Sequence, residues 1–375
     1  MDVKGDLEFR VKRVQDAMAE RGYGGLIIYY GAQHNMLRTD PILLLADLRV
    51  IGPCALLLAR SGAPRLILSP PWDLARARAA VAFDDVVAVE EHDLAKEIAA
   101  GAKALPQPLA VTGREIMPMG FARDLYAALP SPPEDGDDIV RATAATRTEV
   151  ELDRIARAAA IADAGFETLR QVARVGMREY ELAAEMNSAM EALGSEDNFG
   201  LMSAGHHNVA IRAVTDRKLE EGDVIVGEIT PCYKGYFAQL CRTYILGEAT
   251  DLQREKYDLL LRAQVAGLEA ARPGRPSSGI AAAVNQVIGD AGYGEYCRQP
   301  YMRTRGHGLG MGGVVPYDVT ESSGPEIAPG MTMVIHPNQY IPETGYMMLG
   351  DTVVIEDDGP RSLTKTPRRL FWRGN

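Results

Sequence analysis

The chain has 375 residues, 46% of them hydrophobic and 24% charged, a globular composition with room for two domains. Its formal net charge of −11 argues against a phosphate-backbone partner, which needs basic faces to displace counterions, so a nucleic-acid role is excluded at the outset. Four cysteines, Cys54, Cys232, Cys241 and Cys297, lie far apart and form no CxxC pair, pointing to a reducing compartment and away from a zinc cluster or disulfide framework.

The opening MDVKGDLEFRVKRVQDAMAE carries charges every few positions instead of an apolar h-region. No uninterrupted apolar run in the chain reaches about 18 residues. The expectation is a cytoplasmic protein, neither exported nor membrane-spanning. From Leu7 to Glu20 the apolar residues recur at helical spacing, after which GGLIIYY, CALLLA and RLILS read as short buried strands between turns. This is an α/β pattern. The stretch ALPSPPEDGDD, around 129–138, concentrates Pro, Gly and acidic residues and is the predicted linker. It separates an N-terminal α/β domain, 1–138, from a second domain, 139–375.

Beyond it, Thr148 followed by Glu151 has the form of a capping box, and ELDRIARAAAIADAGFETL reads as a long amphipathic helix. A second helix is expected from Glu179 to Leu193. DVIVGEITPCY and GYFAQLCRTYIL follow as strands, then two helical stretches, then MTMVIHPNQYI and MMLGDTVVIE as strands. The halves of this domain echo one another. Gly176, Asn187 and Gly194 stand opposite Gly274, Asn285 and Gly292 at a common offset of 98 positions. An internal duplication predicts a pseudo-two-fold α+β domain with a cleft between its halves.

Several segments of the second domain resemble the creatinase/prolidase/methionine-aminopeptidase ("pita-bread") superfamily in the family's own order: VTDRKLEEGDVI, YKGYFAQLCRTY, TRGHGLGMG, IAPGMTMVIHPNQYIP and MMLGDTVVIEDDG. The match spans roughly Thr148 to Gly359. The region of Tyr29, Asn35 and Leu37 is similar, more weakly, to the family's smaller α/β domain. The resemblance implies a C-terminal pita-bread domain behind an α/β creatinase-type domain, and a homodimer. Fold resemblance does not carry function, which has to be argued at the site.

The family's hydrolases hold two divalent ions with two Asp, one His and two Glu. Carried over residue by residue, those positions are Glu228, Gln239, His307, His336 and Gly350. Only His307 is unchanged. Gly350 has no side chain to bridge two ions, and Gln239 is a neutral, weak ligand. Position 336, by contrast, exchanges one good metal ligand for another. Glu228, His307 and His336 together have the composition of a mononuclear facial site suited to Fe or Mn, and also to a hydrolytic Zn. Three readings stay open: one divalent ion, a metal-free catalytic pocket as in creatinase, and a relic cleft. Asp351 should point away from Gly350 by strand alternation and not replace the missing ligand.

His206 and His207 lie close to where the family carries a catalytic histidine, although the aligned residue itself is Ile211 or Ala213. Either histidine is a candidate acid/base or substrate ligand, and a solvent-exposed loop is the plainer reading. Tyr317 and Asp318 stand about where the family has a substrate-facing His and an acid. Tyr317 is read as a hydrogen-bond donor to substrate or as part of a surface turn after Pro316. His34 and Arg38 are candidates for binding an anionic substrate group, against a surface role. GHGLGMGG lacks the Lys-Ser/Thr of a P-loop, so no nucleotide cofactor is expected, and no GxSxG elbow is present.

The expected function is cleavage of a C–N or related bond in a small molecule, with water activated by Glu228 or a histidine. The alternatives are a mononuclear non-haem iron enzyme using Glu228, His307 and His336, and a non-catalytic binding module.

Overall fold

The computed structural model describes residues 2–34, 36–311, 317–322 and 324–374. Asn35, Gly312 and Pro316, which enter the sequence readings above, lie outside the described residues. The chain divides into two compact units, Met1–Ala144 and Ala145–Asn375. Among the described residues no helix is long and apolar enough to cross a membrane.

The first unit holds strands β1 (Gly25–Tyr30), β2 (Cys54–Ala59), β3 (Arg65–Leu68), β4 (Val86–Ala88), β5 (Leu109–Thr112) and β6 (Glu134–Asp135). They form one mixed sheet in the order β4-β3-β2-β1-β5-β6. β1, GLIIYY, is buried at every position. A central strand covered on both faces reads as an unbroken apolar run instead of an alternating one. Helices α1 (Val3–Glu20), α2 (Pro41–Ala46), α3 (Leu74–Ala80), α4 (Glu91–Ala102), α5 (Met119–Ala128) and α6 (Asp137–Thr143) complete the unit. Asp2 and Asp40 cap α1 and α2 by accepting from backbone N–H groups of their first turns.

The boundary falls later than the expected 138/139. Glu134 and Asp135 pair parallel to Ala110 and Val111 of β5, and the Gly113 N–H donates to Asp137 Oδ1 at 2.6 Å. The acidic stretch is an exposed edge strand leading into a helix of the first unit, and not a free linker. Its three prolines, Pro130, Pro132 and Pro133, precede the paired residues, where they cost the ladder no donor.

The second unit contains helices α7 (Glu149–Val172), α8 (Glu179–Ala192), α9 (Asp251–Ala270) and α10 (Ser278–Ile288). Its first strands are β7 (Asp197–Asn198), β8 (Leu201–Gly205), β9 (Val224–Ile229), β10 (Pro231–Tyr233), β11 (Tyr236–Phe237) and β12 (Leu240–Ile245). After α10 come β13 (Gly306–Gly308), β14 (Thr332–Ile335), β15 (Gln339–Ile341), β16 (Gly345–Met347), β17 (Gly350–Glu356), β18 (Gly359–Ser362) and β19 (Phe371–Trp372). The main sheet runs β13-β14-β17-β12-β9-β8, with β18 on β17 and β19 on β12. Thr148 and Glu151 close the expected capping box at the start of α7. One face of β9 and β12, carrying Ile225, Ile229, Leu240 and Tyr244, packs on Phe166 and Met190 of α7 and α8. The opposite face places Val224, Val226 and Cys241 against Tyr257, Leu260 and Tyr346.

The duplication is present in the backbone. Gly176 and Gly274 have φ of +84° and +77°, and Gly194 and Gly292 have +97° and +91°. Gly176 donates to Leu219 O at 2.8 Å and Gly274 to Ile327 O at 2.9 Å. The glycines recur because both halves turn into their second helix through a left-handed residue that a side chain would strain.

Glu179, fully buried at the start of α8, fastens this turn to the sheet. Its carboxylate accepts from Arg212 Nη1 and Nη2 at 2.7 and 2.9 Å, from Ala204 N at 2.9 Å, and from Thr215 N and Oγ1 at 2.8 and 2.7 Å. Burial alone would raise its pKa, but the bonds from Arg212, Thr215 and Ala204 outweigh that and hold it at about 2. Glu179→Gln is expected to cost about 3–5 kcal/mol in chemical denaturation at pH 7. Because the folded pKa lies below the ordinary value of 4.5, the wild-type advantage is full above that value and shrinks as pH falls toward about 2. A gap between the two proteins that stays constant over that window contradicts the assignment.

Candidate active site

Three adjacent strands bring the central residues into register. Cys241 of β12 pairs with Glu228 of β9 on one side and with Gly350 of β17 on the other. Residues directly opposite on antiparallel strands share a face, and Gln239, two positions before Cys241, shares it by alternation. Ile335 pairs with Asp351, which sets His336 beside Gly350, and His307 pairs with Val334 on the next strand. Gly306 permits that last pairing: at φ +155° a Cβ there would lie 2.2 Å from Val334 O. The His307 and His336 rings are 5.7 Å apart between centroids, at 64°.

Burial sets the charge states. His336 is 6% exposed, and its Nδ1 has no hydrogen-bond partner among the described residues. Desolvation, with His307 beside it, pushes its pKa down to about 3, so the ring is neutral. His307 Nδ1 lies 2.9 Å from Gly308 O, which places the proton on Nδ1 and the lone pair on Nε2. Glu228 is half-buried, and burial raises its carboxyl to about 7, against the opposing charge of Arg303. Gln239 is fully buried; its Nε2 lies 3.5 Å from Cys241 Sγ and its Oε1 has no partner. Asn338 reaches the same sulfur at 4.0 Å while its Oδ1 accepts from Leu349 N at 3.1 Å.

Gly350 and His336 occupy one space. A Cβ at position 350 would lie 2.6 Å from His336 Cβ and 3.2 Å from Cys241 Cβ. No side chain of any kind fits at 350 while His336 stands as it does. The donors therefore do not fit two ions, since Gly350 contributes nothing and Gln239 only a neutral oxygen. They fit one ion by type: two imidazoles and a carboxylate on one face, with the buried His336 Nδ1 and Gln239 Oε1 both lacking partners among the described residues. The donor atoms of Glu228, His307 and His336 are not drawn together. Among the described residues the group of three donors within 4.8 Å of one another is His206, Glu220 and Asp223. In that group both oxygens of Asp223 are already held by Arg217, at 2.6 and 2.9 Å.

The other candidates have local partners of their own, or none among the described residues. His206 is exposed, with Nε2 3.4 Å from Glu220 Oε2. His207 Nε2 meets Pro342 O at 2.8 Å and its ring lies edge-on to Tyr340. Tyr317 is neither a surface residue nor turned outward: it is buried, and its hydroxyl donates to Met331 Sδ at 3.6 Å. His34 has both ring nitrogens engaged, Nδ1 with Asp40 at 2.7 Å and Nε2 with Val50 O at 2.9 Å. It ties down its own loop, whereas Arg38 Nη1 is buried without a partner among the described residues. Asp351 points to the opposite face, held by Arg242 at 2.7 Å and Arg368 at 2.6 Å. Cys241 and Asn338 were missed by sequence reasoning. The signal for Cys241 was its spacing of two from Gln239, whereas Asn338 follows a strand end, where alternation says nothing.

Comparison with known proteins identifies the family. The model of metallopeptidase family M24 matches residues 153–357. The Xaa-Pro dipeptidase of Pyrococcus furiosus is 30% identical over 243 residues, covering 63% of this chain and 67% of the relative. The probable dipeptidase PepE of Mycobacterium tuberculosis is 29% identical over 327 residues, 84% of each chain. The crystal structure of dipeptidase PepE from Mycobacterium ulcerans superposes with a TM-score of 0.84 at 26% identity, covering 100% of this chain and 99% of that one. With a family model spanning most of the second unit and these likenesses extending over the first, the chain belongs to metallopeptidase family M24, in the creatinase/prolidase (pita-bread) superfamily.

Proposed function

We propose that this chain is a cytoplasmic, homodimeric hydrolase that cleaves a C–N bond in a small molecule or short peptide with no more than one divalent ion. The carrying observation is the shared space of Gly350 and His336, which removes the position where a carboxylate would bridge two ions. Relatives named as dipeptidases support hydrolysis as the reaction class. The substituted ligand positions speak against two-ion peptide hydrolysis of the usual kind.

In this reading Glu228, His307 and His336 would hold the ion, which would supply Lewis acidity toward a carbonyl or amidine carbon. In the metal-free form of the same reading, the low-dielectric setting that raises the proton affinity of Glu228 suits it to take a proton from water. The contact of His307 Nδ1 with Gly308 O fixes the orientation of its ring. The amide of Gln239 offers a neutral hydrogen-bonding group for the substrate. Oxygen chemistry on a mononuclear iron rests on donor composition alone, and a pure binding role leaves the unpartnered His336 Nδ1 unexplained.

Elemental analysis of the purified protein is expected to give at most one Fe, Mn or Zn per chain, and two bound ions contradict the proposal. His336→Ala should lower metal affinity by more than the roughly 10–100-fold that loss of an outer-sphere partner costs, and should abolish activity without unfolding. His336→Glu should not create two-ion peptidase activity. Full metal content and activity in His336→Ala would shift the account to a metal-free pocket.

Gly350→Ala should destabilise the protein by about 1–3 kcal/mol, the usual cost of overpacking. In a His336→Gly background the same change should cost much less, because the opposing Cβ is gone. Equal costs in both backgrounds would show that the two residues do not compete. Sedimentation at micromolar concentration is expected to give a dimer, and a monomer there removes that part of the proposal.

A further inference from the structure

A second feature of the C-terminal unit lies beside the five ligand positions without including any of them. A cavity of about 430 Å³ opens between α10, the segment from Gly294 to Arg305 and the turn at 319–322, and none of Glu228, Gln239, His307, His336 or Gly350 lines it. Its size falls in the range of small-molecule sites. Among its described lining residues the charged ones are Arg298, Arg303, Arg305 and Glu321, three cations against one acid, in a chain whose net charge is −11.

Arg305 is the residue that asks for an explanation. It is 1% exposed, and its guanidinium donates to Asn285 Oδ1 at 2.6 Å, Asn338 O at 2.8 Å and Gln339 Oε1 at 2.9 Å and also meets the Cys297 thiol. The lone acid of the cavity, Glu321, accepts from the Asn285 amide and acts on the arginine from a distance, without touching it. A buried guanidinium with no carboxylate in contact is costly, and an anion in the cavity would complete it. Arg298 stands on the exposed rim with no ion pair among the described residues. Arg303 pairs with Asp318 at 2.7 Å, the arginine mostly exposed and the acid partly buried, so a bound anion shares this arginine with Asp318.

We infer that this cavity is a binding site for a small oxyanion, its charge recognised by the Arg305, Arg303 and Arg298 guanidiniums, whose planar forks match carboxylate and phosphate oxygens. Arg305 supplies the fixed, desolvated contact at the floor. The other two close over the ligand from the rim. The site shares no lining residue with the ligand positions, although the charges of Arg303 and Arg305 reach Glu228 and His336, so direct binding and not activity is the readout.

Isothermal titration calorimetry of the full chain tests this, with inorganic phosphate and, separately, succinate as probes, at constant ionic strength made up with chloride. Saturable one-to-one binding of at least one probe is expected, and which probe binds identifies the class as phosphate or carboxylate. The double variant Arg298→Gln/Arg303→Gln, at exposed positions, should weaken that binding by about tenfold or more, as loss of charge-assisted hydrogen bonds does. Arg305→Met should abolish it, with circular dichroism checking the fold. Absence of saturable binding by either probe, or unchanged affinity in the double variant, overturns the inference.

Discussion

The arrangement of this active face depends on one register. With Cys241 opposite both Glu228 and Gly350, every residue of the candidate site falls on the same side of the sheet. A slip of a single residue in β12 would turn Gln239 and Cys241 toward α7 and α8, and would bring Leu240 and Arg242 to the active face. The register is held from the far side. Arg242, fully buried, donates to Gly350 O at 2.8 Å and to Asp351 Oδ1 at 2.7 Å. Arg368 and Thr364 complete the hold on the same carboxylate. Opposite charges on the structural face thus keep the chemical face aligned.

The active face itself is poor in fixed charge. His336 is kept neutral by burial, the Cys241 thiol is pushed up by burial and by Glu228, and Glu228 has no hydrogen bond from a described residue. The Cys241 sulfur accepts from Gln239 and Asn338, but in this low-dielectric setting His336 Nδ1 and the Glu228 carboxylate remain available to whatever enters, because no described residue donates to them. A strand face with these properties differs from the neighbouring Glu179 cluster, where each carboxylate lone pair is already spent on the fold.

Much of this could be read from residue order. Alternation along MMLGDTVVIE placed Asp351 and Gly350 on opposite faces, and the paired glycines announced the duplicated turn. What escaped were features that depend on contacts far apart in sequence. The clash that forbids a side chain at Gly350 comes from His336 across the strand gap, and no local pattern encodes it. Tyr317 looked like a loop donor because a proline precedes it, yet its ring is claimed by the core around Met331 and Val319. The acidic stretch before Asp137 has turn composition, but an edge strand of two residues needs only two backbone pairings, which composition does not forbid.

The exclusion at Gly350 also has a consequence for redesign. The contact is between the Cβ that a side chain at 350 would carry and the Cβ of His336, so an imidazole and a carboxylate at 336 meet it alike. Exchanging residues at these two positions alone therefore cannot install two acids on this backbone, because the strands that carry them would first have to move apart. Strand spacing, and not the identity of either residue alone, sets how many ligands this face can present.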